Sequence, residues 1–134
     1  MWFGSTELCQ RLGLTARQLQ WWDEQGLLPA HHEGHKRLYS RRDAVLAGVI
    51  GILRNAGLGQ ARLQAALRML TVPGRTTELP RYLVVDWPSG RSSGVQNERQ
   101  ALERMAMLSE KGVPTLLIDL EQIENKLSTA HRPY

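Results

Sequence analysis

Cysteine is almost missing from this sequence, with Cys9 alone among 134 residues. One thiol cannot build an intramolecular disulfide framework, so a hydrophobic core has to carry stability, and a reducing cytoplasm is the expected setting. Long apolar runs are missing as well. None approaches the roughly 20 residues that span a bilayer, which predicts a soluble chain without a membrane partner. The opening MWFGSTELCQ lacks a basic leader followed by an apolar stretch, so no signal segment is expected. A metal-ligand framework is lacking too: His31, His32 and His35 share one loop, and Cys9 falls on a helix as a small core residue. No metal site and no cofactor are expected.

The charge that is present is uneven. Up to Val72 there are nine Lys/Arg (Arg11, Arg17, Lys36, Arg37, Arg41, Arg42, Arg54, Arg62 and Arg68) against five acids (Glu7, Asp23, Glu24, Glu33 and Asp43). From Pro73 onward the two signs balance at eight each, so the whole excess of +4 lies in the first half. That asymmetry predicts an N-terminal unit facing a polyanion and a C-terminal unit with another task.

The first half reads as short helices with strong punctuation. Ser5 is placed to cap a helix carrying Leu8 and Leu12 that Gly13 ends. Thr15 is placed to cap a second, carrying Leu19, that Gly26 ends. Two such helices joined by a tight turn form a helix-turn-helix. In LLPAHHEGHKRLYS, Pro29 blocks further helix and Gly34 suits the tip of a hairpin, giving a wing. Ser40 and Asp43 have capping spacing before a helix with Val45, Leu46, Val49, Ile50 and Leu53. A last helix carries Leu63, Ala66, Leu67 and Leu70. Adjacent helical residues lie about 100° apart, so of Trp21 and Trp22 one should be buried and the other partly exposed.

LTARQLQWWDEQGLLPA, then RLYSRRDAV, then LRNAGLGQARLQAAL, resemble in order and spacing the DNA-binding domain of MerR-type transcription regulators. The resemblance covers roughly residues 5–70. It implies that Arg17 and Gln18 reach base edges from the first turn of a recognition helix. Gln20 stands where the family has a phosphate-contacting Arg. Trp21 stands where it has a Tyr that touches the backbone, and an indole N–H still donates to phosphate. In the wing, Lys36, Arg37 and Tyr39, with His35 beside them, become phosphate or minor-groove contacts. The implied partners are double-stranded DNA and, at a promoter, RNA polymerase.

The second half departs from that family, whose members continue into a long dimerising helix. Here TVPGRTTELP interrupts with two prolines and a glycine. The reading is a linker over 73–80, then a strand in RYLVVDW, a loose polar loop in PSGRSSGVQ, and a helix bearing Leu102, Met105, Ala106 and Leu108. A second strand in PTLLIDL and a short helix in EQIENKLS follow. Strand, helix, strand implies a parallel pair, and two parallel strands bury too little to stand alone. A second copy of the chain is expected to complete the sheet.

The expected fold is thus α+β. A mainly helical winged helix-turn-helix domain (1–72) precedes a small β-α-β-α dimerisation or effector unit (81–134), and a chain ending near Val72 should fold as a monomer. The expected function is a sequence-specific transcription regulator that binds a pseudo-palindromic site as a homodimer. Two other classes fit less well. A winged helix that binds a protein partner would explain the charge lost at Gln20. A serine-recombinase remnant would need an arginine cluster beside Ser89, Ser92 or Ser93, and none is present in YLVVDWPSGRSSGVQNERQ. Asp86 and Asp119, at strand ends, suit turns and caps better than an acid pair. No catalytic residue is assigned, and an enzyme is not expected.

Overall fold

A computed structural model describes residues 1–71 and 78–128. The element order is β1 (Trp2–Gly4), α1 (Ser5–Leu12), α2 (Ala16–Glu24), β2 (His31–Glu33), β3 (Lys36–Ser40), α3 (Arg41–Asn55) and α4 (Gln60–Leu67). A 3-10 turn (Arg68–Leu70) is followed by β4 (Tyr82–Asp86), β5 (Ser92–Val95), α5 (Glu98–Glu110), β6 (Thr115–Asp119) and α6 (Leu120–Ser128). Helices and two small antiparallel sheets make it an α+β protein. No helix among the described residues is long and apolar enough to cross a membrane.

The described residues pack as two compact units, 1–51 with 122–128, and 52–71 with 78–121. The division therefore runs inside α3 and α6. Of the expected 73–80 linker, residues 73–77 lie outside the described residues.

In the first unit, β1, β3 and β2 form a sheet in that order. Phe3 pairs with Tyr39 across β1 and β3, and both side chains are buried. This N-terminal strand is absent from the sequence reading, because three residues are too few to show alternation. Helix α1 starts directly at Ser5 behind Gly4, with no side-chain cap, so Ser5 does not play the capping role expected of it. Thr15 does cap α2. Its hydroxyl accepts from the Gln18 N–H at 3.0 Å, and Gln18 Oε1 accepts from the Thr15 N–H at 2.9 Å. Gly34, at φ 63°, opens a two-residue hairpin turn between Glu33 and Lys36, a conformation open to glycine at little cost.

The far end of the chain belongs to this unit too. Ile123 and Leu127 of α6 are buried, and Arg11 donates to the carbonyls of Lys126 and Leu127. Gly48 of α3 makes room for α6, since a Cβ there would stand 2.5 Å from Ile123 Cγ2. The N-terminal unit thus takes in residues some 50 positions beyond Val72, which speaks against the expectation that a chain ending there is self-sufficient.

The second unit corrects the strand pairing. The order is β5-β4-β6, and β4 is antiparallel to both neighbours. A strand–helix–strand crossover does give parallel strands, but the strand that enters α5 is β5, and β4 separates it from β6. The sequence Ser92-Ser93-Gly94-Val95 hides β5 because serine and glycine carry little strand preference. Its small residues serve close approach: a Cβ on Gly94 would lie 2.9 Å from Pro80 and 3.0 Å from Met69. Ser92 Oγ donates to the Ala66 carbonyl of α4 at 2.5 Å. Tyr82 and Val84 of β4 pack with Ala101, Met105 and Leu108 of α5. The inward face of α5 is thus set by Ala101, Met105 and Leu108, leaving Leu102 exposed. With α4 and the 3-10 turn against β5 and α5 over β4, the sheet has cover from its own chain, and the argument that it needs a second copy to bury its core falls away.

Candidate nucleic-acid interface

Helix α2 and the β2–β3 hairpin form the candidate surface, and a single carboxylate joins them. Asp23, in the last turn of α2, accepts from the Ala30 N–H at 3.1 Å and from Arg37 Nε at 2.8 Å, and lies 2.7 Å from His32 Nε2. His32 and Arg37 are cross-strand partners in the hairpin, so both point from the same face of the wing toward the helix. Burial alone would raise this carboxyl. The hydrogen bonds from Arg37, Ala30 and His32 more than offset it and hold Asp23 below its ordinary 3.8.

The sheet's pleat sorts the remaining wing residues. Phe3, Tyr39, Arg37 and His32 share the inward face, whereas Trp2, His31, Leu38 and Lys36 share the outward one. Tyr39 is fully buried, and burial first, with the negative field of Asp23, pushes its hydroxyl up to about 12. It is a core residue in this fold and does not meet the expectation of a phosphate contact. Lys36 and the turn residue His35 are exposed. On the outward face, the Trp2 and His31 rings lie 5.2 Å apart.

On α2 the two indoles part as helical geometry requires: Trp22 is 3% exposed and Trp21 54%. Arg17 lies exposed on the first turn. Gln18, beside it, spends its Oε1 on the capping box, and Gln20 Nε2 donates to Glu24 Oε1 at 2.9 Å. The surface that α2 and the wing turn outward thus holds Arg17, Trp21, Gln20, His35 and Lys36. Arg37 points inward at Asp23, and Gln18 serves the helix start.

The model of the MerR HTH family regulatory protein matches residues 3–70, half of the chain. The chain belongs to the MerR family of helix-turn-helix regulatory proteins. A search of curated proteins gives no match. Membership makes this a DNA-binding transcription regulator of a family without characteristic catalysis, and the matched residues span β1 to the 3-10 turn.

Sequence reasoning passed over Asp23 and His32. A signal was there, since strand periodicity puts His32, Arg37 and Tyr39 on one face once Tyr39 is assigned to the core. What lies opposite that face, an acid on α2, is a tertiary fact. Two other candidates are resolved by position. Asp86 and Asp119 sit at opposite ends of the β4–β6 pairing; Asp86 accepts from the Ser89 N–H, and Asp119 from Arg81 and the Glu121 N–H. Among the described residues, no group of three or more His, Cys, Asp or Glu is placed to hold a metal.

Proposed function

We propose that this MerR-family protein binds a pseudo-palindromic duplex site as a homodimer and regulates transcription there, with RNA polymerase at the promoter as its second partner. Helix α2 enters the major groove. Arg17 reads base edges from its first turn, Gln20 and Trp21 face the backbone, and Lys36 and His35 lie against flanking phosphates or the minor groove. Arg37 acts indirectly, by fixing the wing to α2.

The observation that carries this reading is the clamp on Asp23. A reading helix and a wing recognise one site only if their spacing is held, and the 2.8 Å bond from Arg37 with the His32 contact supplies that hold. Titration of duplex DNA against salt tests it. Arg17→Ala should cost about 1–3 kcal/mol on the specific site and far less on random sequence. Lys36→Ala should weaken both alike and reduce the slope of log affinity against log salt by about one. Equal losses on both DNAs for Arg17→Ala would make it a phosphate contact. An unchanged slope for Lys36→Ala would take the wing off the DNA and favour a protein partner.

A further inference from the structure

Strand β6 is an edge. Among the described residues its one hydrogen-bonded neighbour is β4, over five uninterrupted residue pairs from Tyr82↔Asp119 to Asp86↔Thr115. Edge strands are ordinarily blunted by lysine, proline, a bulge or a covering element. Thr115-Leu116-Leu117-Ile118-Asp119 carries no lysine or proline, and its register shows no bulge. The middle residue, Leu117, shares the α5 face of the sheet with its partner Val84, yet it is 43% exposed. The opposite edge differs, because β5 is packed against α4 and the 3-10 turn.

We propose that β6 pairs antiparallel with β6 of a second copy across a two-fold axis at Leu117, joining two three-stranded sheets into one of six. The proposal rests on the homodimer reading above and assigns it a surface. An open strand edge offers backbone donors and acceptors that only another strand can match in number, and this sequence suits itself. The two-fold sets Leu117 against Leu117, Leu116 against Ile118, and Thr115 against Asp119. The hydroxyl therefore faces the carboxylate. Asp119 is the only charge on the strand and is already paired with Arg81 at 3.1 Å, while Glu121, in the first turn of α6 and outside the ladder, is held by the same Arg81 at 3.1 Å. No acid meets an acid, so like charges do not oppose the pairing.

The axis that relates two antiparallel neighbours is perpendicular to their sheet, so both α5 helices lie on one face and flank the seam. The two Leu117 side chains fill its floor. Leu102 and Met107, 64% and 49% exposed, lie about 140° apart around α5, so either flank turned to the seam brings an apolar side chain.

Sedimentation of the full chain at tens of micromolar tests this, with Leu117→Lys as the variant. It would set two ammonium groups opposite each other while leaving an already exposed position folded, as circular dichroism would verify. The expected result is a wild-type dimer and a variant whose dimer dissociation constant rises at least tenfold. A variant as dimeric as the wild type would overturn the β6 seam and leave the homodimer reading standing, whereas a monomeric wild type would overturn both. Cys9→Ala/Leu117→Cys decides independently if the lysine variant unfolds. Directly opposed residues of antiparallel strands have Cα atoms 4.5–5.5 Å apart, within disulfide range. Mild oxidation should link the two chains through Cys at 117, and a dimer that fails to link would overturn the seam.

Discussion

Asp23 shows how one side chain can tie a helix to a hairpin. It is mostly buried, and two side chains from the wing and one backbone N–H from the intervening loop converge on it. Asp23→Asn keeps the shape, removes the charge and turns part of the group into a donor facing donors. Charge-assisted bonds of this kind contribute about 1–3 kcal/mol, so the variant's unfolding free energy at neutral pH should be lower by that amount. The pH dependence has a definite sign. A carboxyl held below its ordinary value in the folded state contributes stability above that value and loses it as pH falls through the depressed one. The gap in melting free energy between wild type and Asp23→Asn should therefore be full above about pH 5 and close below 3.8. A gap that is flat through this range would mean that the charge of Asp23 does not matter.

Between elements, α3 approaches α6 closely at Gly48. Alanine is favoured over glycine inside a helix by about 1 kcal/mol, but here its Cβ would collide with the stiff, β-branched Ile123. Overpacking of this kind costs about 1–3 kcal/mol, so Gly48→Ala should destabilise on balance. Pairing it with Ile123→Leu, which removes the clashing γ-methyl, should recover part of the loss in a double-mutant cycle. Stabilisation by Gly48→Ala would show that α6 does not press on α3 here. The contact also marks where the sequence was legible. The caps and glycine stops of α2, the hairpin turn at Gly34 and the apolar stripes of α3 and α4 follow local rules, and they stand in the fold as read. Strand β5 was illegible because its residues were chosen for closeness to Pro80 and Met69, a tertiary demand that overrides strand preference. The wing was half legible. Its basic residues were evident, but which face of the strand turned inward was decided by Phe3 pairing with Tyr39 across β1, a strand too short to see.

At the scale of the whole molecule, helix α6 returns to the first unit. A chain ending at Val72 lacks Ile123 and Leu127, which are buried there, and burying each such side chain contributes about 1.5–3 kcal/mol. The combined loss, about 3–6 kcal/mol, is a large share of the roughly 5–15 kcal/mol that holds a domain folded. The truncated chain should melt far below the intact one or be unfolded at 25 °C by circular dichroism. A melting curve equal to the wild type's would show that α6 is dispensable.

The central claim, that this chain reads a two-fold DNA site through α2, is tested most directly by selection from a random-sequence duplex library with the full-length protein. The account predicts enrichment of an inverted repeat whose half-sites are about one helical turn apart, near 34 Å, or a multiple of it, with the preferred bases lost on Arg17→Ala. Recovery of no enriched sequence, or of one that Arg17→Ala selects equally well, would contradict it.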